Sequence, residues 1–68
     1  MENTMKNFGR NLYIALYDHK MTQKNLADKV GIPRELIGRY IKGERNPSFD
    51  TAIKIANVLG VTVDSLIK

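Results

Sequence analysis

Between positions 20 and 45 the chain gathers its anion-holding side chains: Lys20, Lys24, Lys29, Arg34, Arg39, Lys42 and Arg45, against Asp28, Glu35 and Glu44. The surplus of positive charge in this window equals the formal net charge of +4 of the whole chain, because residues 1–19 and 46–68 each balance. Guanidinium and ammonium groups hold phosphate and carboxylate oxygens, so the chemistry on offer is recognition of a polyanion. A solvated face of a small basic protein carries surplus lysine too, so charge alone does not decide. Covalent chemistry has little to stand on. The single histidine, His19, falls at the end of the first helical pattern with no acid arranged beside it, a place for a helix-terminal cation rather than a general base. With no cysteine, no glycine-rich phosphate loop and no metal-ligand spacing, the reading is non-enzymatic, with neither metal, cofactor nor small-molecule ligand expected.

The elements that must position these cations are written in residues 22–41, TQKNLADKVGIPRELIGRYI. Leu26, Ala27 and Val30 form one apolar stripe at helical spacing and Ile37, Tyr40 and Ile41 a second. Thr22 is suited to cap the first of these helices, and Gly31 to end it in the left-handed conformation that costs glycine no Cβ clash. Pro33 opens the second, in a first turn that needs no backbone donor. Two short helices joined across three residues beginning with Gly31 make a helix-turn-helix, whose second helix is the element that enters a DNA major groove. On that helix Gly38 costs roughly 1 kcal/mol relative to alanine, which predicts close approach of DNA or of another helix. Leu36 falls off the inward stripe and is left either to touch a thymine methyl or to pack at the rim.

Sixty-eight residues make one domain, near the size at which a single core barely outweighs chain entropy without disulfides or metal. Stability must therefore come from helix packing, and dimerisation can add to it. No apolar run approaches the roughly 18 residues a membrane span requires, and the N-terminus lacks a signal-peptide core, so the cytoplasm or nucleoid is the expected compartment. The pattern predicts an all-α fold of five helices. The first runs over 7–19 with Asn7, or failing that Thr4, as its cap and Phe8, Leu12, Ala15 and Leu16 inward. Residues 1–6 are expected to be a frayed tail or short arm. Tyr13 and Tyr17, four apart, fall on another flank as partly exposed packing. After the helix-turn-helix, closed by Gly43, Ser48 caps a fourth helix over 49–59 that buries Phe49, Ala52, Ile55, Ala56 and Leu59 before Gly60. Thr62 caps a last helix over 63–67, in which Leu66 joins Val61 in the core.

Three segments, TQKNLADKVGI, RELIGRYIKGERNPS and AIKIANVLGVTVDSL, in this order and spacing, resemble the lambda-repressor-like domains of phage repressors, Cro-type proteins and bacterial XRE-type regulators. The resemblance covers residues 8–67. It implies a compact five-helix domain that binds operator DNA as a dimer with its third helix reading bases. Carried over position by position, it implies base readout by Arg34, Glu35, Gly38 and Arg39 and a backbone contact by Gln23 at the start of the second helix. Arg34 suits the O6 and N7 acceptors of guanine, or else a phosphate. Glu35, four residues before Arg39, orients that arginine, or repels wrong bases, or meets a cytosine N4. Gln23 offers its side chain and the first-turn amides to a phosphate, or is an ordinary exposed glutamine. Lys42, Arg45 and Asn46 flank the following loop as candidate backbone contacts.

The sequence departs from the family pattern at Pro33, where many relatives carry a capping hydroxyl. It departs also at Leu16 and Ile41, where many bury an arginine–glutamate ion pair; an aliphatic pair, buried and in contact, is expected to join helix one to the end of helix three in its place. The dimer contact implied by the resemblance lies around the fourth and fifth helices, where Val63 and Ile67 offer a small apolar patch, so pairing in the absence of DNA is expected to be weak. The reading is of a small phage or bacterial repressor on a pseudo-palindromic duplex operator, residues 1–68 forming one helix-turn-helix domain. The alternative is an antitoxin or other protein-interaction module built on the same fold.

Overall fold

The computed structural model describes residues 5–68, so most of the expected arm lies outside the described residues. Of that arm, Met5 and Lys6 form a turn with Asn7; the Phe8 amide donates to the Met5 carbonyl at 3.0 Å, and Met5 packs against the core. Five helices follow: α1 (Phe8–Asp18), α2 (Gln23–Val30), α3 (Arg34–Lys42), α4 (Phe49–Leu59) and α5 (Val63–Ile67), with no strand among the described residues.

Side-chain chemistry sets where the helices start. Thr22, Ser48 and Thr62 each sit in extended backbone and accept a hydrogen bond from the amide three residues on, Asn25 at 3.0 Å, Thr51 at 3.1 Å and Ser65 at 3.1 Å, which satisfies one of the donors a helix start leaves open. Asn7 departs from expectation. It stands at the cap position of α1 without capping, and its Nδ2 donates instead to the Lys68 carbonyl at 2.8 Å. Asn11 does likewise to the Leu66 carbonyl at 2.8 Å, so two α1 asparagines hold the end of α5. Pro33 sits in extended backbone at the cap position, with no side-chain cap, so α3 begins at Arg34, one residue later than expected.

One device ends the first four helices: the amide two residues past the last turn reaches back five residues. Met21 donates to Leu16, Ile32 to Ala27, Glu44 to Arg39 and Val61 to Ala56, at 2.9 to 3.1 Å. The geometry needs a left-handed residue at the corner, supplied by Gly31, Gly43 and Gly60 after α2, α3 and α4. After α1 the corner is Lys20, at φ 54°, the one non-glycine residue with positive φ in the described backbone.

The core consists of Phe8, Leu12, Leu16, Leu26, Ala27, Ile37, Tyr40, Ala52, Ile55, Ala56, Leu59 and Leu66, with no buried charged side chain among the described residues. Each fully buried large aliphatic or aromatic side chain contributes roughly 1.5–3 kcal/mol of transfer free energy. Through this core α3 packs on both α1 and α2, α2 meets α4, and α5 joins α4 to α1. α3 is therefore held from two sides. Ala15, Val30 and Val61, expected inward, are half-buried at the core margin. Phe49 is a correction: it is 60% exposed. Its phase on α4 points inward, but it is the first residue of the helix, and helical side chains lean toward the N-terminus, so its ring passes the end of the packed layer.

Candidate nucleic-acid interface

Gln23 begins α2 and Arg34 begins α3, and the corner Gly31–Pro33 folds the two helices so that their outer faces meet in a concavity. It is lined by Gln23, Arg34, Glu35, Gly38, Arg39, Ile41, Lys42 and Glu44. All four residues carried over for base readout are thus brought together, with two of the four backbone candidates. Arg34, Glu35, Arg39 and Lys42 are exposed, while Gln23 and Gly38 are half-buried. Glu35 in the first turn and Arg39 and Lys42 in the last suit the dipole of α3, while Arg34 at its first position opposes it. Asn46 lies in a neighbouring groove with Lys6, Gly9, Arg10 and Tyr40, which shares Ile41 and Lys42 with the first. Arg45 is exposed and close enough to lower the Tyr40 phenol pKa, an effect that burial of the ring outweighs, so the phenol is held above its usual value.

The expected Glu35–Arg39 ion pair is not formed. The ion pair among the described residues joins Lys24 and Asp28 on α2, 3.3 Å apart and well exposed, so it contributes at most a few tenths of a kcal/mol. Glu35 and Arg39 both face the open concavity, where water competes for each. Glu44, not singled out in the sequence, adds a second carboxylate at the rim.

At Gly38 packing within the protein does not demand a glycine. A Cβ built there meets only Gln23 Oε1, at 3.6 Å, an ordinary contact. Among the described residues no backbone of another helix lies within 4 Å of that position.

Leu16 is buried at 5% exposure, whereas Ile41 is half-buried and not fully enclosed as expected. Ile41 sits on the flank of α3 where the two grooves meet, and Leu16 lines a third groove with Tyr13, Tyr17, Met21 and Gln23. Both aliphatics border grooves that Gln23 also borders. Val63 and Ile67 are half-buried against the core, a narrower patch than the sequence suggested. The large apolar side chains left exposed are Tyr13, Ile14, Tyr17 and Phe49.

Sequence reasoning passed over Gly9. It is buried in α1 directly beneath the last turn of α3, and its only signal was a glycine inside an otherwise regular helical pattern.

Comparison with known proteins bears on this geometry. A helix-turn-helix family model matches residues 15–66. The uncharacterized HTH-type transcriptional regulator YqaE of Bacillus subtilis is 43% identical over 61 residues, covering 90% of this chain and 53% of that protein. The SPbeta prophage-derived regulator YonR of the same organism is 36% identical over 61 residues, covering 90% of this chain and 56% of that protein. The chain thus spans about half the length of these relatives. Among solved structures, the restriction-modification controller protein C.AhdI from Aeromonas hydrophila superposes with a TM-score of 0.85 at 27% identity, covering 91% of this chain and 94% of that one. The hypothetical transcription factor NHTF from Neisseria, at TM-score 0.88 and 20% identity over 97% of this chain and 76% of that one, shares the fold. On the five-helix architecture, the α2–α3 corner and these matches together, the chain belongs to the lambda-repressor-like, XRE-type helix-turn-helix family of DNA-binding regulators.

Proposed function

We propose that this chain represses transcription by docking α3 in the major groove of a pseudo-palindromic operator as a homodimer. The observation that carries the reading is the concavity in which Gln23, Arg34, Glu35, Gly38, Arg39 and Lys42 converge on one open face. In this reading Arg34 and Arg39 read base edges, Glu35 rejects wrong bases, and Gly38 lets the duplex approach closely. Gln23, Lys42, Arg45 and Asn46 grip the phosphate backbone and set register without reading sequence. Val63 and Ile67 supply a dimer contact too small for strong pairing off DNA, so occupancy of two half-sites about one helical turn apart completes the dimer. Likeness to the restriction-modification controller protein C.AhdI across nearly all of that protein supports a regulatory role. Action on DNA is consistent with a cytoplasmic location; separately, among the described residues no helix is long and apolar enough to cross a membrane.

The test is selection of bound duplexes from a random-sequence pool. Arg34→Ala is expected to cost about 1–3 kcal/mol and relax preference at one operator position. Arg45→Ala is expected to weaken all sequences alike and to lower the salt dependence by about one counterion per protomer. Unchanged base preference in Arg34→Ala would remove its assigned role.

A further inference from the structure

We infer that Gly9 is a positioning residue for DNA reading, acting through the end of α3 nearest Arg39; the inference rests on the DNA-binding reading above. A Cβ built on Gly9 would overlap the Tyr40 carbonyl oxygen and lie 2.6 Å from that of Ile41, closer than the 3.0 Å that real Cβ atoms keep. Both obstacles are backbone atoms in the last turn of the recognition helix, not side-chain tips that swing aside. α1 and α3 therefore touch backbone to backbone at this point, a separation only glycine permits.

The neighbours make the contact directional. Next to Gly9, the Phe8 ring meets the Tyr40 ring edge-on, with centroids 6.1 Å apart at 89°, so the same turn of α3 is held by ring and backbone together. The other end of α3 is fixed separately, through Gly31 and Pro33 to α2. An atom added at Gly9 pushes α1 and the Tyr40–Ile41 turn apart by roughly half an ångström or more; α1 is tied to α5 through Asn7 and Asn11, so the turn of α3 takes up the shift while the Arg34 end stays hinged to α2. Arg39 and Lys42 flank that turn. Hydrogen bonds to base edges tolerate about half an ångström in length before they weaken steeply, so a tilt about the Arg34 end spares one arginine and misplaces the other.

The experiment compares the base preferences of wild type, Arg34→Ala, Arg39→Ala and Gly9→Ala, using duplexes the wild type selects from a random pool and a scrambled duplex of equal length. All are assayed at a temperature where circular dichroism shows each variant folded. The two arginine variants assign one operator position to each side chain. Gly9→Ala is expected to lose at least threefold of the preference at the Arg39 position while changing that at the Arg34 position by less than twofold. A merely structural role would lower binding at all positions by one common factor; that result, or unchanged preferences, overturns the inference. Should Gly9→Ala fail to fold, Phe8→Leu loosens the same crossing without adding an atom at Gly9, and the same pattern is required of it. If neither arginine variant alters any preference, the DNA-reading assignment itself has failed and Gly9 falls with it.

Discussion

Replacing Gly38 with alanine adds one methyl group to the exposed side of the recognition helix, and the structure gives that methyl opposite effects on folding and on binding. Inside the protein it meets only Gln23 Oε1 at 3.6 Å, so no strain offsets the gain in helix propensity. Glycine to alanine in a helix interior is worth about 0.5–1 kcal/mol, part of it from a less flexible unfolded chain. For a domain of this size 1 kcal/mol corresponds to a rise in Tm of roughly 4–8 °C. In the proposed docking on DNA the same methyl would occupy the space through which the duplex approaches. Forcing an extra carbon into a packed contact costs about 1–3 kcal/mol, a loss of roughly 5- to 150-fold in affinity for the selected duplex. Thermal melting by circular dichroism and fluorescence anisotropy with a labelled duplex read the two effects separately. A variant that melts higher and binds as well as wild type would show that DNA does not come close at Gly38; a variant that melts lower would show that the space belongs to the fold after all.

Lys20→Gly is expected to raise stability by about 0.5–1 kcal/mol, seen as a higher Tm with base preference unchanged, because Lys20 holds the left-handed corner at φ 54° where glycine pays no Cβ cost. Tyr40 gives a pH signature: burial, partly countered by Arg45, holds its folded pKa above the unfolded value of 10.0. The corresponding stability is therefore fully present below pH 10 and is lost as pH rises through the folded pKa; alkaline unfolding should lose this component in Tyr40→Phe. Leu16→Arg is expected to destabilise by several kcal/mol, since a buried guanidinium would lack a partner, and Ile41→Glu in the same chain should restore part of the loss. Denaturant melts of the double-mutant cycle measure that coupling, and a coupling near zero would show that the two positions do not meet.

Where the chain punctuates itself, the sequence was a sufficient guide. Thr22, Ser48 and Thr62 cap, and Gly31, Gly43 and Gly60 turn, because each acts on backbone within a few residues of itself. What escaped reading depends on distant partners. Asn7 resembles a cap, yet its amide is taken by Lys68, 61 residues away. Gly9 looks like a mild helix defect until the Tyr40 and Ile41 carbonyls are placed over it. Lys20 shows that a left-handed corner forms without glycine when the Met21 amide closes the end of α1 on the Leu16 carbonyl. Phe49 has the phase of a core residue and the position of a helix end, and position prevails. The concavity was legible because Arg34, Glu35, Gly38 and Arg39 share a face of one helix; the assignment of Asn46 to a separate groove follows from the loop path after Gly43, which no periodicity encodes.

The central claim is that α3 reads the base sequence of a duplex through the α2–α3 concavity, and its most direct measurement is selection from a random duplex pool at near-physiological salt. The account predicts enrichment of an inverted repeat with half-sites about one helical turn apart and loss of preference at a single position per half-site in Arg34→Ala. Recovery of no enriched sequence, with binding that tracks only the salt concentration, would contradict it and reduce the cationic window to a nonspecific polyanion surface.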